Sequence, residues 1–111
     1  MEHAMMLPVL PGIKDTLSAF TTALMGERKP EMDLAQATVT KETWHLIETP
    51  MGDFCIVYFE APDPMAVLTG LATSEEPFDV WFRDRVQEIT GIDIASPPPT
   101  FSNRIYHWTR E

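Results

Sequence analysis

The sequence predicts an α+β fold in the order β-α-β-β-α-β, an antiparallel sheet with helices on one face. Three observations carry this. Runs with strand character alternate with segments whose apolar residues recur every three to four positions. Prolines and glycines punctuate the boundaries between these runs. Two β-favouring runs, Trp44 to Thr49 and Phe54 to Glu60, are joined by Pro50-Met51-Gly52-Asp53, which predicts a hairpin with a four-residue loop.

The remaining elements follow in order. Ala4 to Leu10 is a short apolar run stopped by Pro11-Gly12 and reads as strand 1. Its Pro8 places it at a sheet edge or near a strand end, because proline has no N–H for a ladder. Ile13, Leu17, Phe20 and Leu24 then recur at helical spacing, and Gly26 breaks the run. Pro30 to Thr38 forms a second helical piece with Met32, Ala35 and Val39 inward. After the hairpin, Asp63-Pro64 suits a helix start, with the carboxylate capping and proline in the first turn. Met65, Leu68, Leu71 and Ala72 supply its buried face. Pro77 opens a last helix with the stripe Phe78, Trp81, Phe82, Val86 and Ile89, closed by Gly91. Beyond the spacer Pro97-Pro98-Pro99, Arg104 to Thr109 reads as a fourth strand.

This is the ferredoxin-like, split βαβ order, and right-handed crossovers place the strands as 4-1-3-2. The 111 residues suit a single domain, 1–111, with no repeat or linker to divide it. Strand 3, Phe54-Cys55-Ile56-Val57-Tyr58-Phe59, is apolar on both faces, whereas helices cover only one. A second copy laid face to face would bury the other, so a homodimer is expected; coverage within the chain is the alternative.

At this point the chain resembles the dimeric α/β-barrel superfamily, near its antibiotic-biosynthesis-monooxygenase-like and stress-responsive members but in an uncharacterised branch. The resemblance spans nearly the whole chain. It is carried by the element order, by Leu10-Pro11-Gly12 ahead of a helix with Lys14, and by Thr49-Pro50-Met51-Gly52-Asp53 through Glu60. The helix Pro77-Phe78-Asp79-Val80-Trp81-Phe82 and Gly91-Ile92-Asp93 set the branch. It implies the fold and the dimer. It does not imply an activity, since one fold carries many.

Composition removes several classes. Seventeen acids against eight bases leave a net charge of −9, which disfavours nucleic acid and anionic membrane as partners. The apolar run at Ala4 to Leu10 is too short, and too interrupted by Pro8, for a membrane span or a signal segment. With a single cysteine, Cys55, the fold needs no oxidising compartment, and a cytoplasmic location is expected. Phosphate-cradling glycine loops, H-E-x-x-H and C-x-x-C are absent from the sequence, and no cofactor or metal is expected. A haem-binding version, as in some barrel relatives, needs an axial ligand such as His45 or His107.

The residues that could carry chemistry are few. His45 on strand 2 and His107 on strand 4 stand at opposite sheet edges; they either meet across a dimer to move a proton or bind a metal, or are unrelated edge histidines. His45 is the candidate catalytic residue. His3 sits at a terminus expected to be loose. Trp44, Tyr58, Trp81 and Tyr106 belong to an aromatic set that meets between the layers, lining a small-molecule pocket or simply filling the core. Arg85, beside the apolar stripe of the last helix, either clamps a carboxylate or pairs with Glu88 or Glu31.

Glu42 to Phe82 holds eight acids and no Lys or Arg, and among them Glu48 and Glu60 are the strand carboxylates that a barrel interior would perturb. Cys55, between Phe54 and Ile56, reads as a small hydrophobe. The reading is therefore a homodimer that binds a small apolar or aromatic molecule between sheet and helices. A cofactor-free monooxygenase or isomerase on an aromatic or polyketide-like substrate, and a structural or regulatory dimer without ligand, are the alternatives.

Overall fold

The hairpin at the centre of the sequence organises the sheet. In the computed structural model, which describes residues 1–95 and 102–110, the elements are β1 (Glu2–Val9), α1 (Lys14–Met25), α2 (Lys29–Ala35), β2 (Lys41–Thr49), β3 (Gly52–Glu60), α3 (Pro64–Thr73) and α4 (Pro77–Thr90). The sheet is antiparallel in the order β1-β3-β2. Strands β2 and β3 pair from Lys41↔Glu60 to Thr49↔Gly52, so the loop is the two residues Pro50-Met51 and not the four expected. Gly52 makes this turn possible with φ +133°. The Thr49 hydroxyl fastens it, donating to the Gly52 carbonyl at 2.6 Å and accepting from Met51 N–H at 3.2 Å.

Alternation along the strands separates two faces. His3, Val9, Cys55, Val57 and Phe59 are buried on the side that meets the helices. Their core partners are Leu17, Phe20 and Leu24 of α1 and Phe78, Phe82, Val86 and Ile89 of α4, at the helical spacing the sequence predicts. Helix α3 packs Val67, Leu68 and Leu71 against this core and is capped by Asp63, whose carboxylate accepts from Ala66 N–H at 3.2 Å. Helix α4 ends where Gly91 adopts φ +75° and its N–H closes on the Gln87 carbonyl. Helix α2 buries no residue.

Two expectations change at the sheet's free edge. Residues 102–110 form no strand, so the sheet has three strands among the described residues, not four; the Pro97–Pro99 spacer lies outside them. The β1 edge explains the difference. Ala4 N–H, which points outward, donates to the Ser102 hydroxyl at 3.1 Å, and Pro8, four residues on and facing the same edge, has no N–H to offer. The segment is held by side chains instead, through Ser102 N–H to His3 Nδ1 and the Arg104–Glu2 ion pair. The terminus is correspondingly not loose at His3, which is buried against the edge of Phe59.

Among the described residues, no helix lies on the opposite sheet face. Across it Met6, Ile56 and His45 form one row, and Pro8, Phe54 and Ile47 the next. Met6 is 65% and Ile47 47% exposed. No helix among the described residues is long and apolar enough to cross a membrane.

Phe59, 2% exposed on the central strand, is the largest fully buried apolar side chain among the described residues. Phe59→Ala is expected to lower stability by about 3–5 kcal/mol, because the cavity it leaves cannot collapse. Urea unfolding of the two proteins measures this.

Candidate functional site

Between the sheet and the helix layer the core leaves a cavity of about 560 Å³. The reason is the size of the side chains that hold the layers apart. Phe20 of α1, Trp44 of β2 and Phe82 of α4 touch one another at ring-centroid distances of 5.2–6.1 Å. Flat rings meeting at tilted and edge-on angles prop the layers along one side of the space. The sheet wall is then Met5, Leu7, Cys55 and Val57, and the helix wall is Leu17, Leu68, Leu71 and Val86. This is the composition of a site for an apolar molecule of modest size.

Two carboxyl groups, Glu42 and Asp93, border that lining, and Glu42 is the one held by two side-chain donors. Glu42 lies two residues before Trp44 on β2, so both side chains project to the helix side of the sheet. Trp44 Nε1 donates to Glu42 Oε2 at 2.6 Å, and Gln36 Nε2, just past α2, donates to Glu42 Oε1 at 2.9 Å. The carboxyl is therefore fixed by two donors from different elements, with both donors also on the cavity wall. Burial pushes the Glu42 carboxyl above its ordinary range, and the bonds from Trp44 and Gln36 oppose that shift without cancelling it. A carboxyl whose proton affinity is raised and whose oxygens are held in place suits proton transfer to and from a bound molecule. Thr90, Asp93 and Ser102 supply the other polar groups of the lining.

The structure distributes the residues singled out from the sequence. Trp44 lines the cavity. Trp81 stands beside it in the same aromatic cluster, 5.3 Å from Phe20 and stacked under the Arg28 guanidinium at 4.0 Å. Arg85 is half-exposed and pairs with Glu88 at 3.2 Å. His45 and Tyr58 lie on the uncovered sheet face, where the Tyr58 hydroxyl donates to Glu60 and is held above its ordinary pKa by that bond. Tyr106 and His107 are exposed on the tail. Glu48, one of the two strand carboxylates considered from the sequence, is exposed and bound to Lys14 at 2.6 Å.

Cys55 faces the cavity, and burial raises its thiol pKa, which slows its reactions without abolishing them. Composition gives Glu42 only as one of eight acids in its segment, yet the sequence carries a signal for it. An acid two residues from a tryptophan on an inward strand face must share its environment.

No protein-family model matches the sequence, and no curated protein matches it. Among solved structures, the fold is similar to that of tetracenomycin F2 cyclase from Streptomyces glaucescens, a type-II polyketide cyclase. The TM-score is 0.60 at 16% sequence identity, over 100% of this chain and 99% of that one. The likeness establishes a shared α+β architecture.

The raised Glu42 pKa has a thermodynamic consequence. An acid that holds its proton more tightly when folded binds more protons in the native state, so its contribution falls as pH rises through and above the ordinary glutamate range. Glu42→Gln, which has no such group, is expected to lose less stability than the parent between pH 4.5 and pH 7.5. Urea midpoints of both proteins at the two pH values check the sign.

Proposed function

We propose that the chain is a cofactor-free acid–base enzyme of the isomerase or cyclase type, acting on an aromatic or polyketide-like molecule held between sheet and helices. The observation that carries this is Glu42, a carboxyl fixed by two side-chain donors in the wall of a largely apolar cavity. The binding half rests on the cavity and the chemical half on Glu42. In the ionised form Glu42 takes a proton from a carbon beside a carbonyl, and the resulting enolate carbon attacks a second carbonyl of the same molecule. One C–C bond forms, the second carbonyl's π bond opens, and the proton on Glu42 passes to the new alkoxide. No oxidant is consumed. Trp44 and Phe20 both line the cavity, and their rings supply apolar aromatic surface for a planar substrate. The architecture shared with a polyketide cyclase supports a substrate of this class.

The dimer belongs to the same proposal. The uncovered sheet face, with Met6, Ile47, Phe54 and Ile56, is the surface through which two copies would pack. That packing would enclose His45 and Tyr58, which otherwise face solvent.

Two outcomes are expected. The parent should accelerate keto–enol interconversion of benzoylacetone, followed by its ultraviolet absorbance, and Glu42→Gln should reduce that acceleration by about 10²–10⁴-fold. A parent that leaves the buffer rate unchanged defeats the chemical half. Ile56→Asp, at the centre of the open face, should convert a dimer to a folded monomer in sedimentation velocity, with the circular dichroism of the parent retained. A parent that sediments as a monomer removes the dimer.

A further inference from the structure

Beyond the main cavity lies a second space of about 760 Å³, under α2 and between α3 and α4. Gln36, Val67, Leu71 and Phe82 border both spaces, so the two adjoin at these four side chains. The outer groove is bordered by Leu34 and Ala35 of α2 and by Ala66 and Gly70 of α3. Leu34 is 82% exposed, and α2 rests on the core through the half-buried Met32, with no fully buried residue of its own.

The charges along this route have one sign. Glu31, Glu76 and Asp79 border the groove, and Glu42 and Asp93 border the cavity. Among the described residues no Lys, Arg or His lines either space. Two guanidinium groups that contact lining residues are already engaged. Arg83 donates to the Leu71 and Ser74 carbonyls at 2.7 and 2.6 Å, and Arg28 stacks on Trp81 and pairs with Glu31 at 3.5 Å. An anionic group moving along this route would meet no fixed partner, and would leave water for a lining that already carries negative charge.

We infer that the groove and cavity form one passage that selects uncharged ligands. The substrate would then be a neutral aromatic or keto-phenolic molecule, and not a carboxylate, a phosphate ester or a molecule presented on a phosphorylated carrier arm. The inference rests on the cavity being the binding site, and it adds the charge class of the ligand and the residues that enforce it. Glu31, Glu76, Asp79 and Asp93 are specificity residues, distinct from the proton-transferring Glu42.

The experiment compares two probes of nearly equal size, 9-anthracenemethanol and 9-anthracenecarboxylate, by fluorescence titration of the full chain at pH 7.5 and low ionic strength. Protection of Cys55, which lines the cavity, from N-ethylmaleimide reports that the probe is inside. The alcohol is expected to bind at least about tenfold tighter than the carboxylate, equivalent to about 1.4 kcal/mol, and to slow alkylation of Cys55. In the combined variant Glu31→Gln, Glu76→Gln, Asp79→Asn, Asp93→Asn the alcohol should bind as before while the carboxylate gains most of the missing affinity. These substitutions are at or near the surface, and thermal melts verify the fold. Equal binding of the two probes with Cys55 protected overturns the charge selection and leaves the cavity as a binding site. A gap between the probes that survives in the variant overturns the assignment of these acids. Failure of both probes to bind or to protect Cys55 overturns the binding site and the inference together.

Discussion

Strand β3 is paired on both sides along its whole length, from Asp53 to Glu60 with β1 and from Gly52 to Glu60 with β2. Its backbone groups are satisfied by neighbours rather than water, so its side chains must serve two environments in strict alternation. Cys55, Val57 and Phe59 take the covered side, and Phe54, Ile56 and Tyr58 the uncovered one. Every other element takes its place from this strand. The helices pack where the buried residues point. The open face keeps an apolar row because β3 has hydrophobic residues at both parities.

The cavity follows from the same constraint. A sheet of three strands offers a narrow platform, and two helices with phenylalanines at their contact points cannot lie flat on it. Phe20 and Phe82 rest against Trp44 at one side, and the space beyond is too wide for Leu17, Leu71 and Val86 to fill. Glu42 reaches that space because β2 is the sheet's second edge, where a polar group can turn inward while its donors come from a neighbouring loop. The Gln36 amide, just after α2, supplies one of them. A charged group on β3 itself would lack such a partner, and none of its inward positions from Cys55 to Phe59 is polar.

Much of the architecture was legible before any coordinates, and particular residues show why. The Leu17-Phe20-Leu24 and Phe78-Phe82-Val86-Ile89 spacings could be satisfied only by helices with one buried stripe. Asp63-Pro64 and Gly91 act through local geometry, a cap and a left-handed terminator, and so need no tertiary information. The hairpin was legible as an element but not in its loop length, because Thr49 and Gly52 hold a tighter turn through a side-chain hydroxyl that pattern does not register. The tail misled for a related reason. Arg104 to Thr109 has strand-forming residues, but a strand also needs an edge with donors, and Pro8 and the His3–Ser102 contacts occupy the edge it would have used.

The chemistry divides along the same line. Sequence alone determined the acidic charge balance, the absence of phosphate-cradling motifs, the helix stripes and the doubly apolar β3, since each depends on residues near in the chain or on composition. Tertiary structure decided which of eight acids between Glu42 and Phe82 would be desolvated, and which aromatics would meet around a space rather than in solvent. Burial is a property of neighbours brought together from distant segments. Gln36 and Phe82 join Trp44 in a common environment with Glu42 only when α2 and α4 close over β2.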